Sequence, residues 1–229
     1  MNDTMIEAAA LILPLIFAIV FHEVAHGLVA RQLGDPTAAR LGRLSLNPFK
    51  HVDPIGTVVL PGILALAHLP VFGWAKPVPV DARQLRNPRR DMMLVGAAGP
   101  GSNLVMAAIA ALILGIVMKP YGGEQEPAGV MHFVVLNLFN FISINVFLAL
   151  FNLLPIPPFD GSHIVEGLLP EQAARSYAKF RQVGMLIPIL LIVLLPQLLP
   201  GFSVTRYLIA PVDWVITWYL KLSAAIAQA

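Results

Sequence analysis

"IVFHEVAHGLVARQLGD", residues 19–35, ends the first long apolar run of the chain with two histidines, a glutamate and an arginine. Ionisable side chains inside a bilayer are expensive unless they face a cavity, a partner or a metal. The spacing supplies a reason for these. His22-Glu23-Val24-Ala25-His26 has the form H-E-x-x-H. On a helix the two histidines lie one turn apart on one face, so both imidazoles can reach a single tetrahedral Zn²⁺. Glu23 stands beside that face, placed to take a proton from water that the metal has made nucleophilic. The ordinary alternative is a pair of core histidines and a glutamate satisfied by neighbouring helices. Three unpaired ionisable groups within a span would cost several kcal/mol, and a metal removes most of that penalty.

Working outward, the composition agrees with a membrane setting. The 229 residues are 57% hydrophobic and 12% charged, with a mean hydropathy of +0.75. A soluble domain carries about 25% charged residues. Several uncharged runs reach the roughly 20 residues needed to cross a bilayer. The formal net charge of +2 gives no reason to expect a nucleic-acid partner. There is no cysteine, which excludes disulfides, cysteine nucleophiles and thiolate metal sites. Any metal must be held by His, Asp or Glu.

The apolar runs predict an all-α polytopic membrane protein of about five transmembrane helices. Met5 to Ala30 reads as a retained first span, since a signal peptide would begin with a basic region. Met92 to Met118 and Val130 to Phe159 carry no charge, and the latter ends where Pro155, Pro157 and Pro158 must break a helix. Gln182 to Thr205 and Tyr207 to Lys221 follow, the last rich in Trp and Tyr, as membrane interfaces are. A short run, Ile55 to Phe72, is interrupted by Pro61, Gly62 and Pro70. The chain is expected to form one membrane-embedded domain, 1–229, with core motifs in 15–170 and C-terminal helices in 182–222.

Charge gives the orientation. Nine of the fifteen Lys and Arg residues lie in two loops, Arg31 to Lys50 and Lys76 to Arg90, and positively charged loops face the cytoplasm. Ile55 to Phe72, between them, must then enter and return as a membrane-associated hairpin. The loop Lys119 to Gly129, with Glu124 and Glu126, faces outward, as does the N-terminus. Arg175, Lys179 and Arg181 return the chain to the cytoplasmic side. The expected setting is a cell membrane with the chemistry near its cytoplasmic face.

A catalytic zinc needs a third protein ligand and one open position. Asp160 is the best candidate, following a proline-broken helix of the kind tolerated where it lines a cavity. Taken alone, Asp160-Gly161 reads more simply as an ordinary interfacial turn. His163 competes as the ligand, and His51 is a weaker choice. His68 and His132 have no carboxylate nearby in sequence and read as packing or interface residues. Topology favours Asp160: it ends a span running inward, as His22 and His26 do, provided that 55–72 does not cross.

"FHEVAHG" at 21–27, "AGPGSN" at 98–103 and "NLLPIPPFDG" at 152–161 together resemble the sequence blocks of the site-2 protease family, intramembrane zinc metalloproteases. The resemblance covers about residues 15 to 170 and keeps the family's motif order. It implies one zinc per chain on His22, His26 and Asp160, with Glu23 as catalytic base. It further implies that Asn152 contacts the substrate or the developing oxyanion, that Asn103 faces the site, and that a transmembrane protein is the substrate. The small residues Gly96, Gly99, Gly101 and Ser102 permit close helix approach. No PDZ or CBS module is evident, so a minimal member is expected. In the family the region after the first span forms membrane-associated β structure. "LGRLSLNPFKHVDPIGTVVLP" (41–61) and "FGWAKPVPVDARQL" (72–85) are therefore expected to hold short β pieces able to pair with an extended substrate.

Three other readings compete. A transporter or metal-handling protein would explain intramembrane His and Asp but gives Glu23 no role. A zinc hydrolase acting on lipid would share the whole constellation. A silent scaffold is disfavoured, since His22, Glu23, His26, Asn152 and Asp160 are all present.

Overall fold

In the computed structural model, which describes residues 3–66, 73–122, 127–179, 184, 190 and 204–229, the long helices follow the apolar runs. Helix α1 spans Asp3–Gln32, α4 Pro88–Met118 and α5 Val130–Asn152. Among the described residues these three are long and apolar enough to cross a membrane. Leu11, Ile12 and Phe17 of α1, Val105 and Ile109 of α4, and Phe139 and Phe147 of α5 are exposed. That is where a membrane-spanning bundle meets lipid. Helix α8, Val204–Gln228, packs against α4 and α5 and carries Arg206, Asp213 and Lys221. The expected apolar span at 182–205 lies outside the described residues except at 184, 190, 204 and 205, and His68, Glu124, Glu126 and Arg181 lie outside them too.

The bundle is held by small and branched side chains. Ala107, Ala110, Ala111 and Leu114 of α4 meet Ile142 and Val146 of α5 and Val212 of α8, all buried. Without an apolar driving force in lipid, small residues at the seam allow the close van der Waals packing that joins such helices. Polar bonds add to this: Tyr219 Oη donates to the Leu104 carbonyl at 3.0 Å and Ser223 Oγ to the Ala111 carbonyl at 2.7 Å between α8 and α4, and Asn140 Nδ2 to the Ala10 carbonyl at 2.9 Å between α5 and α1.

The short elements cluster beyond the C-terminal end of α1. Helix α2, Thr37–Arg40, leads to a 3₁₀ turn at Pro48–His51, a π turn at Pro54–Val59 and helix α3, Leu60–Leu66. Seven residues rise only about 10 Å, a third of a bilayer core, so α3 cannot cross. Residues 67–72, the far end of the expected hairpin, lie outside the described residues.

The expected β pieces are not there: no strand occurs among the described residues. The prolines give the physical reason. Pro48, Pro54, Pro77 and Pro79 have no N–H to offer a ladder, and the remaining donors are taken elsewhere. Ile55 and Gly56 donate to Asp53 Oδ1, Val78 to Glu23, and Asp81 to Asp35. Backbone bonds from Trp74 to the Gly56 carbonyl and from Lys76 to the His51 carbonyl join the two pieces, too far apart in register to build a sheet. Residues 73–80 form instead an extended strap across the end of α1, anchored further on by Arg86 N–H to the Leu33 carbonyl.

Past α5, Leu153 to Phe159 makes a series of tight turns before α6, Gly161–Leu168, and α7, Glu171–Ala178. Tyr177 Oη donates to the Pro155 carbonyl at 2.8 Å and braces that turn. Gly161 packs directly against the backbone of Leu153 and Leu154, where any Cβ would collide. This close return brings Asp160 back to the bundle.

Candidate metal centre

Two helical turns of α1 and the tight turn after α5 meet at one point. His22 Nε2 and His26 Nε2 are 3.1 Å apart, and Asp160 Oδ2 lies 3.1 Å from the first and 3.3 Å from the second. The one-turn spacing of the histidines sets the first distance. The proline-rich break, which ends α5 at Asn152, sets the others. Both imidazoles are buried, and Asp160 is largely so.

The hydrogen bonds on the far sides of the rings define what the near sides present. His26 Nδ1 donates to the Val95 carbonyl at 2.7 Å. His22 Nδ1 meets Asn103 Oδ1 at 2.5 Å. The Asn103 amide is oriented by its own donations, from Nδ2 to Asn145 Oδ1 at 2.7 Å and to the Ala18 carbonyl at 3.3 Å, so its oxygen must face His22. Both neutral rings therefore carry their proton on Nδ1 and turn the Nε2 lone pair inward. Asp160 Oδ2 is buried and has no hydrogen-bond donor among the described residues.

Three acceptors facing one another at 3.1–3.3 Å repel unless a cation sits among them. Ligand bonds of about 2.0–2.1 Å in tetrahedral zinc put neighbouring ligand atoms about 3.3 Å apart, so the donor set and its spacing fit zinc. Among the described residues this is the group of His, Asp or Glu atoms that converges in this way. Gly99 of α4 closes the other side: a Cβ there would meet His22 Nε2 and Cε1 at 2.6 Å and collide with His26 Nε2. Gly96, one turn earlier, lies against the Asp160 carbonyl and His163.

Glu23 is not part of the converging group. It is half-buried beside it, and its Oε2 accepts from the Val78 N–H of the strap at 2.7 Å. His163 lines a small polar recess with Pro157, Pro158 and Ser162, outside the three-ligand group. His51 is buried in the loop, its Nε2 2.7 Å from the Ser45 carbonyl, and His132 is exposed in the first turn of α5. Asn152 sits in the last turn of α5 with Nδ2 donating to the Leu148 carbonyl at 2.9 Å. Asn103 is fully buried behind His22, with its carbonyl and amide used inside the protein. Reading the sequence missed Asn145, whose only signal was a polar amide in an uncharged span, and the Val78 N–H, which no side-chain pattern could mark.

Comparison with known proteins agrees with the geometry. The family model described as Peptidase family M50 matches residues 10–195, a stretch that contains all three converging ligands. The "Putative zinc metalloprotease YwhC" of Bacillus subtilis (strain 168) is 40% identical over 186 residues, covering 80% of this chain and 80% of that protein. The "Putative zinc metalloprotease Rip2" of Mycolicibacterium smegmatis is 30% identical over 179 residues, covering 78% of this chain and 64% of that protein. The protein of the same name in Mycobacterium tuberculosis (H37Rv) is 29% identical over 186 residues, or 81% and 66%. No solved structure matches the chain.

Proposed function

The chain belongs to peptidase family M50, and from that premise we propose that it hydrolyses a peptide bond within or near a transmembrane segment of another membrane protein. His22, His26 and Asp160 would hold one zinc ion. When bound, zinc supplies a Lewis acid and makes hydroxide available from water at neutral pH. The observation that carries this reading is the convergence of three lone-pair atoms with no donor among them.

Glu23 acts as the general base. Its Oε2 is held by Val78 N–H, so Oε1 takes the proton from the attacking water and passes it to the leaving amine. Asn103 serves the site from behind, keeping His22 in the tautomer a metal requires. Asn152, eight residues before Asp160 in the last turn of α5, exchanges its bond to Leu148 for one to the substrate backbone or the developing oxyanion.

A transmembrane helix hides its peptide bonds in its own hydrogen bonds and must unwind before attack. The proline-broken backbone from Leu153 to Phe159 offers polar partners at that depth, where backbone groups without partners are otherwise costly. The positive charge of the two basic loops supports a cytoplasmic location for this end of the bundle, with the N-terminus outside.

The test separates a peptide substrate from a lipid one. Purified protein is reconstituted in liposomes with a transmembrane peptide, and peptide fragments and lipid products are followed together. Zinc-dependent peptide cleavage without lipid hydrolysis is expected. Zinc-dependent lipid hydrolysis with an intact peptide would overturn the proposal.

A further inference from the structure

The Pro77–Val78 peptide unit is gripped on both sides. Its N–H, on Val78, donates to Glu23 Oε2 at 2.7 Å. Its carbonyl, on Pro77, accepts from Arg43 Nη2 at 3.2 Å, and the same nitrogen donates to the preceding Lys76 carbonyl at 2.8 Å. A guanidinium thus stands at one end of a peptide dipole and a carboxylate at the other, the orientation in which each charge strengthens the other's bond. We propose that Arg43 is a positioning residue for Glu23, acting through the 76–78 strap. This rests on Glu23 being the general base.

The surroundings leave the strap few other supports at this point. Pro77 and Pro79 have no N–H, so between Lys76 and Val80 the backbone offers one donor, on Val78, and it goes to Glu23. The Val78 side chain is buried against Gly27 of α1, where a Cβ on the glycine would meet Val78 Cγ1 at 2.8 Å. Side-chain packing therefore fixes how closely the strap approaches α1. The bonds from Arg43 fix the rotation of the peptide plane, which decides whether the N–H points at Glu23. Arg43 comes from the loop after α2 and makes both bonds through one nitrogen, while its Nε is buried with no partner. A lysine ammonium can occupy that single-nitrogen role, although it fails at sites that need the two-pronged fork of arginine.

With its plane held, the Val78 N–H fixes Oε2 and with it the direction of Oε1. A general base displaced by about 1 Å can lose a hundredfold in rate. Arg43→Ala should accordingly keep its zinc and its KM and lose about ten- to hundredfold in kcat, and Arg43→Lys should recover most of the loss. A merely structural arginine would not give that split and that rescue.

A second readout needs neither metal nor turnover. Hydrogen exchange of the amides in 73–81, measured by mass spectrometry on zinc-free full-length protein in detergent, should speed up in Arg43→Ala and in Glu23→Ala. It should stay near wild type in Arg43→Lys. Replacing the Val78 amide with an ester, which deletes the N–H and also weakens the Pro77 carbonyl as an acceptor for Arg43, should reproduce the kcat loss even if Arg43→Ala fails to fold. Wild-type kcat in both Arg43→Ala and the ester variant, or unchanged exchange in 73–81, would overturn the proposal. If Glu23→Gln remains fully active while exchange responds as expected, the strap contact stands and it is the assignment of Glu23 as base that fails.

Discussion

Asn103 holds the ring of His22 from behind, with Oδ1 2.5 Å from Nδ1 and the Asn103 side chain wholly buried. The amide belongs to a chain that continues through Asn145 to the Phe141 carbonyl. α4 and α5 are thereby made responsible for the tautomer of a residue on α1. Partners of this kind typically account for about 10- to 100-fold in metal affinity. Asn103→Leu should therefore weaken zinc binding by about that factor, measured by competition with a chelator. Equal affinity in wild type and variant would remove Asn103 from the site.

Gly99→Ala sets two effects against each other. Alanine in a helix interior is favoured over glycine by about 1 kcal/mol, so α4 itself should not suffer. The added Cβ, however, would occupy the space of both His Nε2 atoms. The variant should fold and insert, as judged by helical circular dichroism and detergent gel filtration, yet hold little zinc. Full zinc occupancy would mean that the rings have room to withdraw.

The third ligand is tested by a pair of substitutions. Asp160→Ala should lose most of the zinc, whereas His163→Ala should keep it, because His163 lies outside the converging group. Elemental analysis of the purified variants reads the outcome. Zinc lost from His163→Ala and retained by Asp160→Ala would reverse the assignment.

How much of this was legible in the sequence depends on the range over which each feature is decided. The spacing of His22 and His26 is a property of one helical turn, and Asp160 followed from span direction and the proline break. A break at the C-terminal end of α5 was foreseeable from Pro155, Pro157 and Pro158, although the helix already stops at Asn152, short of the expected Phe159. The β pieces in 41–85 were an expectation that local prolines overrode: the donors of Val78 and Asp81 go to Glu23 and Asp35, carboxylates distant in sequence. Gly99 read as helix packing because the rings it admits sit on another helix. Arg43 read as one of several loop cations, and its contact with the strap is a tertiary fact with no pattern to mark it.

Orientation can be checked on a background that contains no cysteine. Arg83, whose side chain is 90% exposed, and the exposed Ala128 stand at opposite ends of α4. Arg83→Cys should label only from the cytoplasmic side and Ala128→Cys only from outside, using an impermeant maleimide on intact cells and on inverted vesicles. Labelling of Arg83→Cys from outside and of Ala128→Cys from the cytoplasmic side would contradict the return of 55–72 to the face it left.

The most direct measurement is single-turnover cleavage of a transmembrane peptide by Glu23→Gln, with zinc content determined on the same sample. Glutamine keeps an oxygen for the Val78 N–H but cannot take up the proton, and general-base catalysis contributes about 10² to 10⁴ in rate. The account predicts full zinc occupancy and a rate lower by about that factor. Cleavage near the wild-type rate by zinc-loaded Glu23→Gln would contradict it.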